Sequence, residues 1–435
     1  MDALAQAPLN VVVVGAGIGG MAAALSLGRR GHSVTVLETA PKLLEIGAGI
    51  QVAPNMFRLL ERWGAGEALR KTGCVVRDVS LLRYERQKLL GRSPMNTQYG
   101  QQYVVHRADL HNAIVDKALE LPNVRLRLNA TVDDVDFDQT TVVLKGGEVV
   151  AADVILAADG IKSIIRGKVL QDSEDVAIPT GDAVFRVMLT RDQMVDDPEL
   201  RPFIDEERAT RWMGPNRHII AYPVRNHQMY NIVLAHPQRK DLDESWTAVG
   251  SKKSMLEEYA GWDPRLVKML DMVPEGDVLE WKLCSHLPLA KWVRGNVALM
   301  GDACHPMLPY VAQGAAQAVE DAACLGVVLS SIRSKSDLPL ALKTYVQARK
   351  TRAERVQSTG TETRTQLHLV DGEEQIERDR KFASLSVDGV NPDQWGDPKM
   401  QEYLWAWDAE EDARQAWQAA TSGLSMVEEI PQAKL

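Results

Sequence analysis

Cysteine is scarce: four residues, Cys74, Cys284, Cys304 and Cys324, in a chain of 435. No two of them stand at metal-ligand spacing and the nine histidines are scattered, so neither zinc, a disulfide framework nor metal catalysis is expected. The cysteines read as small buried hydrophobes. Long apolar runs are missing too, since none reaches the roughly 18 residues that a membrane helix needs. Met1 to Asn10 carries no charged-then-apolar leader, which leaves Asn129-Ala130-Thr131 as a chance sequon in a chain that is not expected to be secreted. The net charge of −9 is spread out with no basic stripe, so nucleic acid is not an expected partner. What is present is ordinary globular composition, 45% hydrophobic and 25% charged, over a length that suggests two or three domains.

Residues 9–38 organise the rest. Four valines, Val11-Val12-Val13-Val14, read as a buried parallel strand, and Gly15-Ala16-Gly17-Ile18-Gly19-Gly20 follows with no spacer. Gly15 lets the chain turn, Gly17 lets backbone approach a pyrophosphate, and Gly20 lets the next helix lie close on the strand. That helix meets phosphate with free N–H groups and its positive dipole end. Ser33-Val34-Thr35-Val36-Leu37 reads as a second strand, and Glu38 at its end stands about twenty residues past the glycines, where a carboxylate accepts the ribose hydroxyls of an adenosine.

Further along, Gly47-Ala48-Gly49-Ile50 makes a second glycine turn at which backbone can approach a ligand. Residues 55–70 read as helix, 75–84 as an extended segment and 87–101 as a polar connector. A helix opens at His106-Arg107-Ala108-Asp109, with Asp109 as a candidate cap. Arg107 stands in the first turn, where the dipole disfavours a cation unless an anionic ligand is near. Val154-Ile155-Leu156-Ala157-Ala158 is a second buried strand ending in Asp159-Gly160, the position at which open α/β sheets bind ligands. Between about 182 and 284 the pattern turns β-rich, with helical stretches expected at 246–263 and 264–272. Gly295-Asn296-Val297-Ala298-Leu299-Met300 then returns as a third buried strand, so the β-rich part is an insertion into the first domain.

That strand runs into Gly301-Asp302-Ala303-Cys304-His305-Pro306, Pro309 and Gln313-Gly314-Ala315-Ala316-Gln317-Ala318, with Glu320-Asp321-Ala322 beyond. The GxGxxG, the Asp159-Gly160 with Ser163 and Arg166 after it, and the Gly301-Asp302, in that order, resemble the group A flavoprotein monooxygenases, the class of 4-hydroxybenzoate and salicylate hydroxylases. Gly47-Ala48-Gly49-Ile50, Trp212-Met213-Gly214-Pro215, Tyr222-Pro223-Val224 and His305-Pro306-Met307-Leu308-Pro309-Tyr310 narrow the resemblance to the fungal salicylate hydroxylase-like branch. It covers nearly the whole chain, through Leu404-Trp405-Ala406-Trp407-Asp408-Ala409.

The resemblance implies an α/β fold: a Rossmann-like FAD-binding domain with an inserted β-sheet substrate domain and a helical C-terminal segment. The implied division is FAD-binding parts at 1–76, 102–175 and 291–365, crossover strands at 77–101, the substrate domain at 176–290 and a helical tail at 366–435. It implies non-covalent FAD, NADH or NADPH as co-substrate, and transfer of oxygen from O2 to a small phenolic or salicylate-like molecule through a 4a-hydroperoxyflavin. A fungal secondary metabolite is the alternative substrate, and a flavin oxidase or dehydrogenase the alternative activity. By similarity, Glu38 holds the adenosine ribose, Arg107, Asp159 and Asp302 lie along the ribityl and pyrophosphate, Gly314 and Ala315 offer backbone N–H groups to the flavin pyrimidine, and Pro309 borders the flavin face. One departure is Ala316, where the branch usually carries Asn.

For the pocket, Arg186 lies on a strand expected to face the flavin cavity, where it pairs with a substrate carboxylate or phenolate, or else makes an interdomain salt bridge. His218 and Tyr222 share one strand face at i and i+4, as groups that hold or deprotonate a ring hydroxyl or as plain wall. Trp212 is a candidate to stack a ring. Tyr345, Arg349 and Arg352, on a helix read at 340–356, are assigned to interdomain packing and surface charge. No membrane association is expected, and the protein is expected as a monomer or homodimer. Cytoplasm is the expected location, with the peroxisome as the alternative because Ala433-Lys434-Leu435 is a conservative variant of the Ser-Lys-Leu address.

Overall fold

A computed structural model of the chain describes residues 4–43, 47–85, 87–171, 177–239, 249–385 and 390–422. The terminal Ala433-Lys434-Leu435 lies outside them. Among the described residues no helix is long and apolar enough to cross a membrane, and no cluster of three or more His, Cys, Asp or Glu could hold a metal ion.

The four-valine run is the strand Asn10–Val14, one of the two central strands of a six-stranded sheet ordered 293–294, 297–299, 154–157, 10–14, 33–37, 124–127. All pairs are parallel except the outer hairpin of 293–294 with 297–299. Both faces are covered, which is why the strands are apolar throughout instead of alternating. Val11, Val12, Val13 and Val14 are all buried. The helix Ile18–Gly28 packs on the sheet and against the helix Gly314–Ser330. Small residues permit that approach: a Cβ on Gly326 would lie 2.1 Å from Ser26 Oγ, and one on Gly19 3.2 Å from Ala318 Cβ. Three strand ends, at Leu37, Ala157 and Leu299, deliver Glu38, Asp159 and Asp302 to one edge of the sheet.

The β-rich insertion is a seven-stranded sheet ordered 279–285, 178–190, 229–237, 217–224, 208–214, 78–83, 89–94, antiparallel except for 208–214 beside 78–83. One face, with Phe185, Val187, Trp212, Ile219 and Ile232, is buried under the helices Lys252–Glu258 and Pro264–Asp271. The other, with Val184, Tyr222, Val233 and Trp281, faces the 307–312 loop and the C-terminal segment.

Several expectations change. The 87–101 connector contains a strand, Leu89–Pro94, whose polar outward positions hide its pairing with Asp78–Arg83. It needs Gly91, because a Cβ there would lie 2.1 Å from the Phe382 carbonyl oxygen. The helix expected at 246–263 is Lys252–Glu258, with 246–248 outside the described residues. The helix read at 340–356 runs from Leu338 to Leu367. Its Arg349 and Arg352 are buried, at 0% and 4% exposed, not surface charge. His106, not Asp109, caps the helix Arg107–Leu119, accepting from Ala108 N at 3.3 Å; Asp109 instead pairs with Arg225.

Candidate active site

Gly15 turns the chain at φ +100°, and a Cβ there would lie 2.5 Å from the Ala158 carbonyl oxygen. At Gly17 the same test meets nothing within 4 Å, so the backbone there is open on the side where a phosphate would sit. Gly20 is fixed by packing, since its Cβ would lie 2.0 Å from the Gly15 carbonyl oxygen. The helix begins at Gly17 with no side-chain cap, which leaves its first N–H groups to a ligand. Glu38 is held beside this loop by two backbone donors: Ala16 N on Oε2 and Ala40 N on Oε1, each at 2.8 Å.

Asp159 Oδ2 accepts from Ile164 N at 3.0 Å, while its buried Oδ1 has no hydrogen-bond partner. Burial pushes this carboxyl up, with Ser163 opposing. Asp302 opens into the cleft, and the protein packed around it likewise pushes its carboxyl up, opposed by His305 and Arg107. Arg107 is pulled down by burial and up by Asp302, so the cation in the first turn has an anion facing it. Gly47 makes room for Arg107, whose Cβ would be 2.8 Å from a Cβ added there. Arg166 is a structural residue that the motif pattern named without a role. It is buried and donates to the carbonyls of Ile161 at 2.8 Å and Ala303 at 3.4 Å, tying the Asp159 loop to the Asp302 loop.

The helix Gly314–Ser330 also starts without a side-chain cap, so Gly314 and Ala315 stand at an open N-terminus. Its third turn is anchored by charge. Glu320 accepts from Arg349, Arg352 and Asn55 at 2.7–2.9 Å, and Asp321 accepts from Arg349 Nε at 2.9 Å, from His305 Nε2 at 2.6 Å and from Gly301 N at 2.9 Å. Burial alone would raise both carboxyls; Arg352 and Arg349 at Glu320, and His305 and Arg349 at Asp321, outweigh it and lower them. Ala316 is buried in the core, where no polar side chain reaches outward.

Beside the Asp302 loop lies a narrow cleft of about 90 Å³, partly open to solvent, lined by Arg186, Val184, Val233, Trp281, Leu308 and Pro309 among others. The Arg186 guanidinium carbon stands 5.3 Å from the Trp281 ring centroid, and its buried Nε has no partner. No interdomain salt bridge of Arg186 is found among the described residues. Burial lowers its pKa, and Tyr222 and Arg107 are the charged or polar groups near enough to act on it. Tyr222 packs on Gly49, where a Cβ would lie 2.6 Å from its ring, and Gly49 N donates to Asn231 Oδ1 at 2.8 Å.

His218 shares the strand face of Tyr222 but does not line this cleft. Its Nδ1 is 2.8 Å from His368 Nε2, and the Tyr310 ring stands edge-on to it at 4.9 Å. Burial lowers its pKa well below the usual value. Trp212 faces the opposite side of the sheet, donating to Asp263 at 2.9 Å, so it stacks no ligand here. Alternation explains the difference: His218 and Tyr222 are even-numbered positions on the cleft side of their strand, and Trp212 falls on the other side of its own.

Two uncapped helix N-termini, a glycine loop without side chains, an acid at the ribose position and the orphaned Asp159 Oδ1 together fit a dinucleotide whose phosphates and hydroxyls complete those groups. The comparison with known proteins agrees, because residues 8–359 match the FAD binding domain family. The chain belongs to that family. It is an FAD-dependent flavoprotein monooxygenase of the group A type. It is 41% identical over 403 residues to the FAD-dependent monooxygenase atnJ of Arthrinium sp, covering 92% of this chain and 94% of that one. It is 32% identical over 409 residues to the 3-hydroxybenzoate 6-hydroxylase of Polaromonas naphthalenivorans, covering 92% and 96%. Among solved structures, a salicylate hydroxylase substrate complex superposes with a TM-score of 0.77 at 25% identity, covering 94% of this chain and 98% of that one.

In this monooxygenase, Glu38, Asp159 and Asp302 follow neighbouring strand ends of the six-stranded sheet with Arg107 near Asp302, while Asp302, Arg186 and Pro309 line the cleft and Tyr222 lies near Arg186. Cys304 is buried, with a thiol pushed far up, and His305 is committed to Asp321. Neither is presented as a nucleophile for flavin attachment.

Proposed function

We propose that this monooxygenase uses NADH or NADPH and O2 to hydroxylate an anionic aromatic molecule, a phenolate or a hydroxybenzoate, bound across Trp281 with its charge on Arg186. The observation that carries this is Arg186: a cation at the wall of a largely apolar cleft, which Asp302, Lys162 and Lys282 also line, stacked on an indole and with its Nε short of a hydrogen-bond partner. FAD, when bound, supplies the activation of O2 by electrons from the nicotinamide.

The chain's own residues do the rest. Arg186 favours the ionised ring hydroxyl or carboxylate over the neutral form, which enriches the ring in electrons. Tyr222, pushed up to about 12 by burial, stays protonated and serves as a hydrogen-bond donor near Arg186. Val184, Val233, Leu283 and Leu308 exclude water from the space between Arg186 and Pro309. Glu38, Arg107, Asp159 and Asp302 are the proposed contacts of FAD, with backbone N–H groups of Gly314 and Ala315 at the flavin pyrimidine. With one glycine fingerprint in the chain, the nicotinamide cofactor has no second site of that type and binds transiently.

Greater identity to the Arthrinium monooxygenase than to the hydroxybenzoate hydroxylase favours a fungal secondary metabolite as the second reading of the substrate. A panel of phenols and benzoates, scored by NAD(P)H consumption and by a product one oxygen heavier, tests the proposal. NAD(P)H-independent turnover of amines or alcohols would point to an oxidase instead.

A further inference from the structure

The segment 301–313 carries both Asp302 and Pro309, and it lies along one face of the long helix Leu338–Leu367. Arg349 reaches it through Asp321, which holds Gly301 N and His305. Gln357 Nε2 donates to the Pro306 carbonyl at 2.7 Å. Gly360 lets the Leu308 carbonyl approach, since a Cβ there would lie 3.1 Å from that oxygen. Arg364 reaches it through Asp182, and His368, just past the helix, meets His218 beneath Tyr310. Positions 349, 357, 360, 364 and 368 fall in a single stripe about 100° wide on an α-helix.

The contact at Asp182 is the one next to Pro309. Asp182 is 1% exposed, and three donors converge on it: Tyr310 Oη at 2.6 Å, Arg364 Nε at 2.5 Å and Arg364 Nη2 at 2.7 Å. Burial and the adjacent carboxylate push the Tyr310 hydroxyl well up, so it remains a donor. Asp182 also shares a strand face with Arg186, four residues on in the strand Ile178–Thr190. On the far side of Tyr310 the backbone is strained: Ala312, not a glycine, sits at φ +57°. Such a conformation persists only where the surroundings over-determine it.

We propose that Asp182 and Arg364 are positioning residues that, through Tyr310, set Pro309 against the flavin and lock its distance from Arg186. This rests on the reading that Pro309 borders the flavin face. Neither residue touches a reacting atom; both act through the phenol of Tyr310.

The test uses the FAD-loaded full chain and reads the visible circular dichroism and fluorescence of the bound flavin, with thermal melting recorded alongside. Tyr310→Phe and Asp182→Asn are expected to lose the wild-type dichroism pattern, and Arg364→Lys, which keeps the charge, to recover it in part. Spectra superimposable on the wild type in all three variants would overturn the proposal, whatever the change in melting temperature. Pro309→Gly separates the two levels. If it leaves the flavin spectrum unaltered, Pro309 does not meet the flavin and the underlying reading fails with the proposal. If it alters the spectrum while the other three variants do not, Pro309 meets the flavin and only the positioning role fails.

Discussion

The guanidinium of Arg186 lies over the indole of Trp281, 5.3 Å from its centroid, on two neighbouring strands of the seven-stranded sheet. Stacking fixes the plane of the cation without using its hydrogen bonds, so Nε stays available to an oxygen in the cleft. Removing the cation should therefore affect substrate and spare the cofactor. Arg186→Ala is expected to keep FAD at the wild-type ratio and to lose about 10- to 100-fold in kcat/KM, the worth of one charge-assisted hydrogen bond. Arg186→Lys should recover only part, because a point ammonium cannot reproduce the planar fork. Steady-state kinetics with the best substrate of the panel, beside the flavin absorbance ratio, checks both.

Gly20→Ala tests the cofactor site from the backbone. A Cβ at 2.0 Å from the Gly15 carbonyl has only backbone to displace, so the turn must open. Loss of FAD during purification is the expected outcome, and Asp302→Ala should weaken FAD retention as well. Normal flavin content in either variant would remove that residue from the proposed site.

Arg349→Met separates stability from chemistry. Arg349 is fully buried and pairs with both Glu320 and Asp321, which the substitution would leave short of a counter-charge. The expected cost is about 3–5 kcal/mol of folding stability. Urea denaturation of the holoenzyme measures it.

Acid should destabilise the fold through its buried imidazoles, with Asp412, whose carboxyl burial raises to about 6, pulling the other way. Burial lowers His32, His236 and His368 each to about 4, so all three are neutral near pH 7. Unfolding returns each to its ordinary value and lets it take up a proton. The stability that their neutral forms contribute is complete above about pH 6.5 and is lost as the pH falls toward about 4. Urea midpoints across that range are expected to fall steadily, and His32→Gln should flatten part of the slope.

The cofactor half of the site was legible in the sequence because its chemistry is local. Gly15, Gly17, Gly20 and Glu38 stand in one strand–turn–helix unit, and Asp159 and Asp302 each end a buried strand. The substrate half depends on pairings between distant segments. Nothing local says that Trp281 will lie beside Arg186, or that His368 will take up His218, 150 residues away. Alternation was enough to put His218 and Tyr222 on one face, but it could not say that His218 would be taken up by His368 and the Tyr310 ring instead of lining the cleft. Arg349 and Arg352 read as surface charge because a helix with cations at i and i+3 is usually solvated; their carboxylate partners lie on a helix some thirty residues earlier.

The strand order of the six-stranded sheet sets the sequence in which the nascent chain can complete itself. Asn10–Val14 pairs with Val154–Ala157, which in turn waits for Val297–Leu299. The parallel sheet therefore stays open on one edge until about the first two-thirds of the chain have left the ribosome, whereas the antiparallel strands from 208 to 237 meet through short turns as they emerge. Non-local parallel pairing of this kind is slow and leaves apolar edges exposed in the meantime. Expression at low temperature or with chaperones should raise the soluble yield more than it would for a domain of equal size built from local hairpins.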